Sequence, residues 1–170
     1  KTFSKKNATY KKHFYIFVVG NNNVKNIVIM DNLIKIYLRL LQETDDKIFR
    51  YLYKDIDWNE RCVAIIGAKG IGKTTMLLQH IKTTFDNKNE ALYASLDNIW
   101  FANHSIFELA DEFYMNGGTH LFLDEIHHYP NWTTEIKNIY DSFPKLKIVF
   151  TGSSLLQIYN SSGVILVEKQ

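Results

Sequence analysis

The chain has 170 residues, 46% of them apolar and 22% charged, with a net charge of +2. That length accommodates one domain with a sizeable core, and that balance is ordinary for a globular protein, so a disordered or fibrous chain is excluded. The charge does not suggest a nucleic-acid binder, and no stretch approaches the roughly 20 apolar residues of a membrane span.

Residues 1–29 are rich in Lys, Asn, Phe and Tyr and show neither helical nor strand periodicity. Lys11, Lys12 and the run Phe14–Val19 imitate a signal peptide, but the apolar part is short and no small-residue cleavage site follows. With a single cysteine, Cys62, in an apolar run, the reading is a reducing, cytoplasmic location. Character changes at Met30, which we read as the natural start, making 1–29 a non-native or disordered extension. Asp31 is then the expected N-cap of an amphipathic helix over 32–41.

From there the elements alternate. A second helix is expected from Asp46 to Tyr53, a strand at Arg61–Ile66 and a helix at Thr74–Phe85. A strand at Ala91–Leu96 and a helix at Ser105–Met115 follow. His120–Leu123 reads as the third strand, Thr133–Ser142 as a helix, Leu146–Phe150 as the fourth strand, and Leu155–Tyr159 as the start of another helix. Apolar strands separated by helices indicate parallel βαβ units, an α/β fold with helices on both faces.

Between the first strand and its helix, residues 67–74 read Gly67-Ala68-Lys69-Gly70-Ile71-Gly72-Lys73-Thr74, the pattern G-x-x-x-x-G-K-[ST]. Strand, glycine loop and helix is the context this motif requires. Glycines let successive backbone N–H groups turn inward as an anion nest, and the helix adds its N-terminal dipole. Lys73 then reaches the β- and γ-phosphates of a nucleoside triphosphate, and the Thr74 hydroxyl sits on Mg2+. Thr75 completes the phosphate-binding set.

The third strand ends in Asp124-Glu125. Ligands collect at the carboxyl ends of strands in open α/β sheets, so these acids face the nucleotide crevice. Asp124 is the second Mg2+ residue and Glu125 the general base for the attacking water. The fourth strand ends Thr151-Gly152-Ser153-Ser154, hydroxyls that either contact the γ-phosphate and lytic water or cap the next element.

The set Gly67–Thr75, Leu121–Trp132 (Leu-Phe-Leu-Asp-Glu-Ile-His-His-Tyr-Pro-Asn-Trp) and Phe150–Ser154 resembles a prokaryotic AAA-type P-loop ATPase family. Its members pair an ATPase domain with a nuclease-like C-terminal domain of unknown function. The resemblance spans residues 30–160 and implies a three-layer P-loop sandwich, with the strand that carries Thr151 inserted between the P-loop strand and the Asp124 strand. It implies that Thr151 and Ser153 fill the sensor-one region, with Thr151 close to Lys73. It further implies ATP and Mg2+ as cofactors, and assembly into homo-oligomers or with a protein partner.

The chain departs from the family after residue 160. The sequence reading finds no fifth strand, and the only arginines, Arg39, Arg50 and Arg61, precede the P-loop. Gly163–Gln170 stands where relatives read Asp-Leu-Ser-Arg-Arg, so 161–170 is read as an aberrant or frameshifted tail and the sheet as incomplete at the C-terminus. Two functions follow: Mg2+-dependent ATP hydrolysis coupled to an absent module or partner, or a truncated, non-catalytic nucleotide-binding fragment. His127 and His128 are read as surface residues, because adjacent histidines do not easily turn toward one metal and no third ligand has suitable spacing. Asp97 either approaches the phosphates or caps its loop. The aromatics Tyr93, Trp100, Phe101, Phe107, Phe113 and Tyr114 are read as core.

Overall fold

Residues 24–153 and 165–168 are described by a computed structural model, with side chains over 32–153. Three apolar pentapeptides and one hexapeptide form the body of the sheet: β1 (Cys62–Ile66), β2 (Ala91–Ser95), β3 (His120–Asp124) and β4 (Lys147–Gly152). Every residue of β1 is buried, as expected of strands covered on both faces. A fifth strand, β5 (Ile165–Glu168), pairs in parallel with β1 from Val63↔Ile165 to Ile66↔Glu168. This corrects the expectation of a sheet lacking its fifth strand. Its Ile-Leu-Val run supplies the residue types that favour strands, within a tail set aside on motif grounds.

The order β2-β3-β4-β1-β5 is wholly parallel and places β4 between β1 and β3, as expected. The crossovers are α2 (Lys73–Thr84), α3 (Ile106–Met115) and α4 (Trp132–Ser142). The step from β1 to β2 runs opposite to the steps β2 to β3 to β4. With right-handed crossovers, α2 therefore lies on the face opposite α3 and α4, giving the three layers. Helix α3 packs on α4, while α1 (Val24–Glu43) packs on α2 and β2, with the Tyr37 hydroxyl donating to Ala91 O at 3.0 Å. Helix α3 starts as its sequence dictates. Ser105 and Glu108 form a reciprocal capping box.

Two helical expectations need correction. Asp31 is not a cap, because α1 begins at Val24 and passes through both Asp31 and Met30. No Gly or Pro interrupts that stretch, and extending an existing helix costs little per residue. The expected helix over 46–53 is reduced to a 3-10 turn, Tyr51–Asp55. The preceding segment is instead strapped onto α2. Buried Gln79 donates to Asp45 O at 2.7 Å and Ile48 O at 2.9 Å, and Lys82 donates to Thr44 O at 2.6 Å. These long-range bonds override a local helical pattern. The helix expected at 155–159 lies outside the described residues.

Helix α2 also carries His80, stacked on Trp58 with ring centroids 3.8 Å apart. Its Nδ1 lies 2.9 Å from the Tyr53 hydroxyl. Burial, and then the charges of His120 and Lys147, lower its pKa from 6.5 to about 4. His120 is lowered to about 4 by burial and then by Lys147. The unfolded chain thus binds more protons than the native one between pH 4 and 6.5, so this contribution is complete above pH 6.5 and is lost as pH falls toward 4. His80 alone accounts for about 3 kcal/mol. Urea midpoints at pH 7 and pH 4.5 check this; an unchanged midpoint refutes it.

Candidate functional site

The glycine loop leaves β1 at Gly67, whose N–H donates to Gly152 O at the end of β4 (3.3 Å), and enters α2 at Lys73. Ala68, Lys69, Gly70 and Thr75 are exposed, while Lys73 is buried. Gly70 and Gly72 have φ of 83° and 88°, the left-handed region. Gly72 is required twice over. A Cβ there would also lie 2.5 Å from Arg50 Nε, because the strap over 44–50 delivers the Arg50 side chain onto the loop. The first turn of α2 has no side-chain cap, which leaves its N–H groups for an anion.

Lys73 is 5% exposed, and its ammonium donates to Gly67 O at 2.8 Å and Ala68 O at 3.0 Å. The Thr74 hydroxyl donates to Asp124 Oδ2 at 2.5 Å, closing the 50-residue gap between loop and acid. Asp124 is 2% exposed and accepts three further bonds. Tyr93 donates to Oδ2 at 2.9 Å, the Glu125 N–H to Oδ1 at 3.1 Å, and the Thr151 hydroxyl to Oδ1. Four donors match the acceptor capacity of one carboxylate, so the buried charge is fully satisfied. Thr151 also accepts from the Glu125 N–H at 3.0 Å, which joins the ends of β3 and β4. Its expected neighbour Lys73 is engaged with the loop carbonyls, so the contact that Thr151 makes is with Asp124.

Glu125 has φ 54° and ψ 44°. A non-glycine residue in this region costs about 1–2 kcal/mol, and such backbones cluster at functional sites. The turn that follows, Ile126–His128, is pinned by Ile126, which is buried in the core. His127 Nε2 lies 3.4 Å and His128 Nε2 3.9 Å from Glu125 Oε2. Ser153 Oγ lies 2.8 Å from His127 Nε2. Glu125 thus supplies the third group that sequence spacing had not offered beside the two histidines. Asp97, the other acid considered near the phosphates, accepts from Ser95 Oγ at 2.6 Å in its own loop.

Two residues of this site escaped the sequence reading. Tyr93 was read as core and is buried, but its hydroxyl is on Asp124. Burial first, and then the Asp124 charge, raises its pKa, so it stays a donor. A phenol flanked by Leu92 and Ala94 in β2 was its one signal. Arg50 gave none, since its position depends on the strap.

A parallel sheet with a glycine loop between β1 and α2, and with the threonine after its lysine bonded to an aspartate on β3, defines a P-loop NTPase domain. Residues 59–169 match the AAA_14 family model, an AAA domain, and the chain belongs to that family. The match runs through β5. The chain is similar to Uncharacterized protein MJ1637 of Methanocaldococcus jannaschii, 28% identical over 125 residues, covering 68% of this chain and 26% of that protein. It therefore spans about a quarter of that relative's length. Among solved structures it is similar to AMPPCP-bound DnaA from Aquifex aeolicus (15% identity, TM-score 0.47, 79% of this chain and 46% of that one). It is also similar to C. elegans PCH-2 (15% identity, TM-score 0.43, 88% and 43%). Among the described residues, no helix is long and apolar enough to cross a membrane.

Proposed function

We propose that this AAA domain binds ATP with Mg2+ and hydrolyses it, and that hydrolysis drives a module or partner beyond this segment. The observation that carries the reading is the chain of bonds Thr74–Asp124–Thr151, which ties the loop to the ends of β3 and β4. The residues fit the ligand chemically. Lys73 and the loop amides provide a cationic cradle for phosphate oxygens. Thr74 and Asp124 offer the hard oxygen donors that Mg2+ prefers. Bound there, Mg2+ would neutralise charge developing on the phosphates.

In this reading Lys73 exchanges its bonds to Gly67 O and Ala68 O for the β- and γ-phosphates. Asp124 keeps Thr74 oriented, and Glu125 accepts a proton from the attacking water. Thr151 holds the Glu125 amide and so its position relative to the phosphates. The Arg50 guanidinium, lying on Gly72, adds positive charge in cis.

A second reading, nucleotide binding without turnover, rests on the fully occupied Asp124 carboxylate. Unless Tyr93 or Thr151 releases it, Mg2+ gains no free lone pair there.

The test is Mg2+-ATP binding and phosphate release by the full chain beside Lys73→Ala. Binding and turnover in the parent, with affinity reduced by at least about tenfold in the variant, support hydrolysis; losing one charge-assisted phosphate contact costs that much. Binding without turnover selects the second reading. No binding by a folded parent refutes both.

A further inference from the structure

The geometry points to a binding site for a zinc-class divalent cation formed by Glu125, His127 and His128, which when filled takes Glu125 out of water activation. The cation site rests on the geometry of these three residues; its consequence for turnover rests on the proposed role of Glu125. Among the described residues this is the one group of three His, Cys, Asp or Glu residues whose ligating atoms converge, all within 4.8 Å of one another.

The separations suit a metal. Tetrahedral zinc with bonds of about 2.0–2.1 Å places neighbouring ligand atoms about 3.4 Å apart. Glu125 Oε2 already lies 3.4 Å from His127 Nε2 and 3.9 Å from His128 Nε2, so the ligands need only small rotations to close on an ion. Two imidazoles and one carboxylate with an open fourth position is a recurrent zinc ligand set. The elements beneath are firm. Ile126 is 1% exposed and anchors the turn, and the His128 N–H donates to Glu125 O at 3.0 Å.

Ser153 stands beside His127, 2.8 Å from Nε2 and 3.4 Å from Nδ1. The Ser153 N–H points at Nδ1 at 3.4 Å. When Nε2 turns to the ion, Nδ1 carries the proton and exchanges that contact for a bond donated to Ser153 Oγ, the outer partner that orients metal-bound histidines. The other described histidines are engaged elsewhere: His80 with Tyr53, His104 with Trp100 O and His120 with Thr119. Imidazole also separates this site from the Mg2+ residues. Zn2+ and Co2+ take nitrogen ligands readily, whereas Mg2+ prefers the oxygens of Thr74 and Asp124.

The test titrates the untagged, nucleotide-free full chain with Zn2+ in competition with a chromophoric chelator, and with Co2+ followed by its visible absorption. One equivalent is expected to bind, with affinity at least about tenfold weaker in His128→Gln and in Glu125→Gln. His128 is 53% exposed, so its replacement bears little on folding, and circular dichroism checks this. Equal affinity in the parent and His128→Gln overturns the site. Weakening by His128→Gln but not by Glu125→Gln overturns the capture of Glu125. In a parent that turns over Mg2+-ATP, one equivalent of Zn2+ is expected to cut phosphate release at least tenfold, with recovery on chelation. Undiminished turnover with Zn2+ bound overturns the inhibition. Zinc binding that depends on both residues in a chain without any turnover upholds the site and refutes the ATPase reading instead.

Discussion

Replacing Glu125 with glutamine is expected to lower phosphate release by about 10²–10⁴-fold, the usual contribution of a positioned general base, while ATP affinity stays within about twofold. Glutamine keeps the size of the side chain and can hydrogen-bond the water, but it cannot accept the proton. Neither the Glu125 N–H bond to Asp124 nor that to Thr151 involves the side chain, so the junction of β3 and β4 survives. Single-turnover phosphate release beside equilibrium binding of Mg2+-ATP separates the two quantities. Turnover within threefold of the parent would move the base elsewhere. Glu125→Gly provides a second check. It should be as inactive, yet more stable by about 1 kcal/mol, because glycine adopts the left-handed backbone at 125 without the side-chain clash.

Phe150→Ala is expected to destabilise the fold by about 3–5 kcal/mol, a large share of the 5–15 kcal/mol that holds most domains together. Phe150 is fully buried on β4, in register with Ala64 on β1 and Leu123 on β3, and its ring lies 5.4 Å from that of Trp132. Four elements therefore border the cavity left behind, and each is held by its own neighbours, so little collapse can offset the loss. Urea denaturation measures the effect, with Ile99→Ala as the control. Ile99 is 86% exposed, and its truncation should stay within about 0.5 kcal/mol. Phe150 also precedes Thr151, so residual folded protein should bind nucleotide less tightly. A loss below 1 kcal/mol would contradict the packing described.

What could be read in advance was what depends on adjacency. The glycine loop declares itself by spacing, since its glycines, lysine and threonine act within one turn of backbone. The strands declare themselves as apolar runs, because a parallel sheet buries both faces. Thr74 and Asp124 were legible from the loop and from the carboxyl end of β3, whereas the place of Thr151 beside them followed from the family resemblance, which implies β4 between β1 and β3. What stayed hidden depends on contacts across the chain. Gln79 converts an apparent helix into a strap, and the strap carries Arg50 to Gly72. The Tyr93 hydroxyl has meaning only once β2 lies beside β3. Convergence of His127 and His128 on Glu125 arises from the left-handed backbone at 125, where side-chain spacing along a regular element is no guide. β5 went unread because its tail was weighed by motif and not by its strand-forming residues.

The strand order has a consequence for how the protein comes into being on the ribosome. β1 leaves the exit tunnel first of the five strands, yet both of its sheet partners, β4 and β5, are among the last. β2 and β3 can pair as soon as β3 follows α3, and β4 can join them once it follows α4, whereas β1 must wait about 80 residues for β4, its earliest neighbour. Such distant pairings are the slow part of folding. The glycine loop, tethered at Gly67 to Gly152, is therefore an early-made part that takes its working shape late. A nascent chain arrested before residue 147 should not hold nucleotide, although it already carries every residue of the loop, Asp124 and Glu125.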